Sequence, residues 1–207
     1  MLLSHELIVD KFYNVQTVQD DKRSALQREI FYEYEPTPYY ILDRLFTKFP
    51  FRQQDHMIDF GCGKGRVLIM AMIHSCRKIT GYEINQYYYN IALQNIKNLQ
   101  STINCSTVCS LHNMDVQRIH IEDSANVFFF FNPFHLKVYI HVFQEIVFSL
   151  KRRSRKIRII FYAPKKSTLQ YVNSLDCFEL TNLMTVSHMV KRCQSEYYEY
   201  AIYENLL

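Results

Sequence analysis

The sequence predicts an α/β fold, a single doubly wound, mostly parallel sheet that ends in an antiparallel C-terminal hairpin. Three observations predict it. The apolar pair Met57-Ile58 leads to an acid and then to glycines at alternate positions, Asp59-Phe60-Gly61-Cys62-Gly63-Lys64-Gly65-Arg66, before the apolar spacing of a helix begins. The run Val127-Phe128-Phe129-Phe130-Phe131 has the unbroken apolar character of a parallel strand buried on both faces. Finally, Phe178–Val186 and Glu196–Glu204 read as two strands with no helix-length apolar pattern between them, so they pair antiparallel.

A chain of 207 residues fills one sizeable core and would cramp a second domain. The expected organisation is a helical lead-in over residues 1–33 and a main domain over 34–207. With 48% hydrophobic and 21% charged residues, the composition is that of an ordinary soluble globular protein and excludes a disordered chain. The net charge of +4 permits a nucleic-acid partner without demanding one. The six cysteines contain no C-x-x-C pair, and Cys105 with Cys109 has no matching second half. Reduced thiols in a cytoplasmic protein are therefore expected, with no metal. The first residues, MLLSHELIVDKF, are broken by charges and read as neither a secretory leader nor a membrane span.

Only four glycines are present, and three of them share the loop at 61, 63 and 65. Glycine opens backbone angles closed to other residues, and its missing Cβ lets a ligand lie against the main chain. A helix beginning near Lys64 offers amide donors to a carboxylate or phosphate. Ahead of this loop, the two prolines of Tyr34-Glu35-Pro36-Thr37-Pro38-Tyr39 hold an extended segment. A helix starting at Thr37 or Pro38 then carries Ile41, Leu42, Leu45, Phe46 and Phe49 on one side.

After the loop, Val67, Leu68, Ala71 and Met72 form the buried face of a helix, and Lys78–Tyr82 form a second strand. That strand ends in Gly81-Tyr82-Glu83, and a carboxylate so placed can accept both ribose hydroxyls of an adenosine. Asn85 is expected to cap a helix through Leu99. Residues 106–114 form a third strand ending at Asn113-Met114-Asp115, and the phenylalanine strand ends at Asn132-Pro133-Phe134. The basic cluster Lys151–Arg158 joins a helix end to a strand start. That puts it at the sheet edge opposite a ligand crevice, where it is read as a solvated face. His135, Lys137, Lys165 and Lys166 are the cations expected near the crevice.

On these residues the chain resembles the class I S-adenosylmethionine-dependent methyltransferases. DFGCGKGR looks like their acid-x-Gly-x-Gly-x-Gly motif, and it differs from the dinucleotide fingerprint G-x-G-x-x-G in the place of its third glycine. The resemblance implies seven strands in the order 3-2-1-4-5-7-6 and S-adenosylmethionine as the cofactor. Asp59 would orient the cofactor's amino group, and Gly61, Cys62, Gly63 and Gly65 would cradle its methionine portion. Glu83 would hold the ribose, Asp115 the adenine (with Asn113 as a second candidate), and Thr37 would border the methionine end.

Asn132-Pro133-Phe134 resembles the (Asn/Asp)-Pro-Pro-(Phe/Tyr) signature of methyltransferases acting on amino groups, without its second proline. This implies a catalytic pair in which Asn132 holds the acceptor and Phe134 packs on it. The acceptor expected from the resemblance is an amino group on nucleic acid or protein. The alternatives are a small molecule, or a non-catalytic cofactor-binding module that docks a partner. A nicotinamide dinucleotide ligand is disfavoured by the glycine spacing and by the terminal strand pair.

Overall fold

A computed structural model describes residues 2–18, 34–131, 134–190 and 194–206. Its strands are β1 (His56–Phe60), β2 (Lys78–Tyr82), β3 (Val108–His112), β4 (Val127–Phe131), β5 (Arg158–Tyr162), β6 (Phe178–Val190) and β7 (Gln194–Asn205). They form one sheet in the order β3-β2-β1-β4-β5-β7-β6. The first five run parallel, and β7 is antiparallel to both β5 and β6. The fold class and strand order are those expected from the sequence.

The helices are α1 (Leu2–Phe12), α2 (Tyr39–Lys48), α3 (Arg66–Ile73), α4 (Gln86–Thr102), α5 (Leu136–Arg152) and α6 (Lys166–Asn173). Because side chains alternate along a strand, the sheet buries two different sets. Met57, Phe129, Ile160 and Ile202 meet Leu42, Phe46, Leu68 and Leu99 on one face. On the other face Ile58, Phe128, Phe130 and Phe161 meet Phe143, Ile146 and Val172. Phe130 lies at the centre of the second layer, with ring centroids 4.8 Å from Phe60 and 5.2 Å from Phe161.

Several boundaries differ from the sequence reading for local reasons. Helix α3 begins at Arg66 and not near Lys64, because Gly65 sits in the left-handed region at φ 85° and ends the loop there. Helix α2 begins at Tyr39, since Pro38 keeps an extended ψ of 142°. Asn85 caps α4 as expected, its side-chain oxygen accepting the amides of Tyr87 and Tyr88. The terminal hairpin is longer than expected: β6 and β7 continue to pair from Thr185↔Glu199 to Val190↔Gln194, past the last β5 pair, Tyr162↔Tyr200.

Residues 2–18 pack onto the sheet domain. Val15 joins the core, and the Gln16 amide donates to Asn95 Oδ1 at 2.8 Å. Asn95 in turn donates to the Lys64 carbonyl at 2.9 Å, so α4 bridges the N-terminal segment and the glycine loop. The expected domain boundary between residues 33 and 34 lies outside the described residues. No helix among the described residues is long and apolar enough to cross a membrane.

The basic cluster lies where α5 ends and β5 starts. Arg155 donates to the Ala125 carbonyl at 2.6 Å and to Ser149 Oγ at 2.8 Å, and Arg152 donates to Asp123 at 3.0 Å. These cations fasten the sheet edge opposite the strand C-termini.

Gly81 shows how tightly β2 is enclosed. A Cβ there would stand 2.7 Å from Leu68 Cδ1, 2.8 Å from Leu111 Cδ2 and 3.0 Å from Cys62 Sγ. Leu68 is fully buried and has no room to retreat. Gly81→Ala is therefore expected to lower unfolding stability by about 1–3 kcal/mol, the usual cost of overpacking. Urea denaturation checks this, and an unchanged midpoint would show that β2, β3 and α3 can part.

Candidate functional site

At the C-terminal ends of β1, β2 and β4 lies a cavity of about 500 Å³, in the crevice position of an open parallel sheet. Thr37, Asp59, Gly61, Cys62, Gly63, Glu83, Asp115 and Phe134 all line it. Of the residues expected to meet the cofactor, Gly65 and the second adenine candidate Asn113 do not line the cavity. A Cβ on Gly65 would meet Ala92 Cβ at 3.3 Å, so this glycine serves the contact between the loop and α4. Asn132 and Pro133 lie outside the described residues. Phe134 is partly buried, with its ring edge-on to Tyr139 at 5.5 Å.

The loop is held by hydrogen bonds that consume its own donors. The amides of Gly61 and Cys62 both donate to the Tyr82 carbonyl at 2.9 Å, and that of Gly65 donates to the Cys62 carbonyl at 2.8 Å. The Gly63 amide donates to Glu83 Oε2 at 2.8 Å, while Glu83 Oε1 accepts the Asn85 amide at 2.8 Å. Glu83 therefore locks the loop after β1 to the end of β2 and the start of α4, a role that no local pattern announces. What the loop offers a ligand is its bare surface, since the amides at 61, 62, 63 and 65 are engaged inside the protein.

Asp59 is buried, and its Oδ2 has no hydrogen-bond partner. Loss of water and the neighbouring Glu83 charge push its carboxyl up to about 8. Burial, helped by Asp59 and Glu83, likewise pushes the Cys62 thiol far up, so it acts as an apolar wall and not as a nucleophile. Asp115 starts the short 3-10 turn Val116–Arg118, its Oδ1 accepting the Gln117 amide at 2.9 Å. Asn113 is instead a strap, donating to the carbonyls of Glu83 at 2.8 Å and Ile84 at 3.1 Å, and it does not line the cavity. Of the expected cations, His135 lines the cavity, whereas Lys137, Lys165 and Lys166 do not.

Sequence reasoning missed the wall above the loop. Arg66, the first residue of α3, is 3% exposed and lines the cavity. Its Nε donates to Thr17 Oγ1 at 2.7 Å, and its Nη1 donates to the Glu6 carboxylate and, at 3.2 Å, to the Thr37 carbonyl. Its guanidinium lies over the Tyr39 ring at 4.3 Å. Lys64 is buried beside it, with Nζ 4.5 Å from the centre of the Tyr34 ring. Arg66 Nη2 and Thr37 Oγ1 are buried without a partner, as Asp59 Oδ2 is. Among the described residues, no group of three or more His, Cys, Asp or Glu side chains could hold a metal ion.

No protein-family model matches the sequence, and no curated protein matches it. Solved structures do resemble it. A protein of Pyrococcus horikoshii described as a candidate RNA methyltransferase aligns with TM-score 0.62 at 13% identity, over 99% of this chain and 96% of its own. An RNA methyltransferase of Salinibacter ruber in complex with S-adenosyl-L-homocysteine aligns with TM-score 0.56 at 18% identity, over 82% and 93%. The magnesium protoporphyrin IX methyltransferase of Synechocystis, with bound S-adenosylmethionine, aligns with TM-score 0.58 at 12% identity, over 96% of each chain. These likenesses establish the methyltransferase-type Rossmann-like fold.

The Asp59 environment fixes a pH dependence. Its folded carboxyl titrates near 8, above the range of about 4 for an unfolded aspartate. The folded state therefore binds the proton more tightly, and stability is complete below about pH 4 and declines as pH rises through 8. Without ligand, Asp59→Asn should gain thermal stability over the wild type as pH rises from 4 to 8, with the gap level above that. Parallel melting curves across the series would contradict this account of Asp59.

Proposed function

We propose that the chain is an S-adenosylmethionine-dependent methyltransferase whose acceptor is an amino group on nucleic acid or protein. The observation that carries the reading is the convergence of Asp59, Glu83 and Asp115 on one cavity, with Asp59 Oδ2 buried and unpartnered. A buried carboxylate lacking a donor is destabilised until a cation or donor meets it, so the donor set fits a ligand bearing an ammonium group. When bound, S-adenosylmethionine supplies a methyl group on a sulfonium that is already activated for displacement.

The protein's part is to bind and align. Asp59, ionised by the approach of an ammonium group, holds the amino end of the cofactor. The Glu83 carboxylate, at the cavity wall, accepts from the ribose hydroxyls, and the Asp115 carboxylate accepts from the adenine amino group. The loop at 61–65 gives the methionine portion a surface without side chains in the way. Asn132 accepts a hydrogen bond from the acceptor's amino group and turns its lone pair toward the methyl, while Phe134 packs on the acceptor's plane. Burial behind the apolar walls of Phe129, Phe131 and Val138 keeps water from competing.

The neighbours that support this reading act on RNA and on a porphyrin, so a small-molecule acceptor is the second reading. Transfer of a tritiated methyl group into fractionated cell extract separates RNA, DNA, protein and small-molecule acceptors. No label in any fraction would favour a non-catalytic binding module.

Two substitutions test the assignment. Glu83→Gln keeps the shape but sacrifices charge-assisted bonds worth about 1.5–3 kcal/mol. It should therefore weaken S-adenosylhomocysteine binding roughly ten- to a hundredfold in calorimetry. Unchanged affinity would remove Glu83 from the ribose. Asn132→Ala should keep that affinity within a few-fold and lower single-turnover methyl transfer by roughly two orders of magnitude, since alignment matters most at the transition state. Equal rates would remove Asn132 from the active site.

A further inference from the structure

The N-terminal segment reaches the cavity through a chain of buried polar contacts. Glu6 and Asp10, one helical turn apart on α1, are both buried. Asp10 accepts the Thr17 amide at 2.5 Å and the hydroxyls of Thr17 and Tyr39, each at 2.6 Å. Glu6 Oε1 accepts the Tyr39 amide at 3.1 Å, which caps the otherwise uncapped start of α2, and Glu6 Oε2 accepts from Arg66. Thr17 Oγ1 accepts from Arg66 Nε at 2.7 Å. The guanidinium is thus gripped on Nε and Nη1 and stacked on Tyr39, a geometry that a lysine could not adopt.

This grip leaves one donor group over. Arg66 Nη2 is buried with no partner, and so is the hydroxyl of Thr37, the residue whose carbonyl Arg66 already holds. Both residues line the cavity. An unsatisfied guanidinium nitrogen beside an unsatisfied hydroxyl presents N–H and O–H donors together, the complement of a carboxylate. Asp59 stands just before the glycine loop and Arg66 just after it, so an acceptor for an ammonium and a donor pair for a carboxylate flank the same turn. That is the arrangement an amino acid's zwitterionic end requires.

We infer that Arg66 Nη2 and Thr37 Oγ1 receive the carboxylate of the ligand's amino-acid end, and that Glu6 on α1 is the positioning residue that aims Arg66. The inference rests on the cofactor reading above and assigns to residues 6–17 a part in ligand selection. Glu6 supplies the charge that lets Arg66 stay buried, and the bonds to Thr17 and Thr37 set the direction of its free nitrogen.

Calorimetry with two ligands tests this: S-adenosylhomocysteine, and its decarboxylated analogue S-adenosyl-3-thiopropylamine, which keeps the amine and lacks only the carboxylate. The wild type should prefer the first by roughly ten- to a hundredfold, in line with a charge-assisted pair. Thr37→Val, which preserves volume, should cut that preference several-fold with little change for the analogue. Glu6→Ala should abolish it, and Glu6→Gln should fall between, because one acceptor oxygen remains. A merely structural role for Glu6 would weaken both ligands alike and leave their ratio unmoved, which would overturn the positioning role. Equal wild-type affinity for both ligands would overturn the carboxylate site while leaving the cofactor reading intact. Failure of the wild type to bind either would overturn both.

Discussion

Two acids at the ends of neighbouring parallel strands, Asp59 as the penultimate residue of β1 and Glu83 just after β2, set the terms for the whole crevice. Both are buried, and like charges so close cannot both ionise freely. The fold resolves this unequally. Glu83 is given two backbone amides and becomes the bolt between loop, strand and helix, whereas one Asp59 oxygen is given nothing. The first arrangement makes the site rigid before any ligand arrives. The second keeps a carboxyl protonated until something better than water's absence presents itself. Pre-organisation and deliberate shortage thus sit one strand apart.

The sequence made the skeleton of this site legible because its parts are local. An acid before alternating glycines, an acid just past the next strand and a third after Asn113-Met114 each mark a strand end, and all three acids line one cavity. Gly65 was legible as a loop glycine but not as a packing one, because its neighbour Ala92 comes from another helix. The Arg66 cage was invisible for a stronger physical reason. Its partners Glu6, Thr17 and Thr37 are each far away in the chain, and nothing in hydrophobic periodicity records which buried cation a distant acid will meet. A charged residue in the first turn of an apolar helix was the one available signal. Arginine there opposes the helix dipole and so calls for a compensating acid nearby.

The basic cluster illustrates the converse. Its composition invites a nucleic-acid interpretation, yet topology alone assigned it to the far edge, and the contacts of Arg152 and Arg155 with Asp123, Ala125 and Ser149 give those charges structural work. Position along a βαβ unit was the better guide than charge density. The cavity itself is acidic where the sequence is mildly basic, so net charge described the outside of the molecule and not its site.

The place of β7 bears on how the chain is made. It is the last of the seven strands to leave the ribosome, yet it lies inside the sheet, between β5 and β6. During synthesis, β5 therefore waits with one edge open, and β6 emerges with no partner of its own. Only when residues 194–205 appear can the hairpin close, a local event on the microsecond scale, and dock as a unit on β5. Until then the nascent protein exposes Ile160, Phe161 and Tyr162 along an unpaired strand, the kind of template that recruits other chains. Completion of the sheet is thus a late step of biosynthesis. The open edge of β5 lasts for the time it takes to translate β6 and β7.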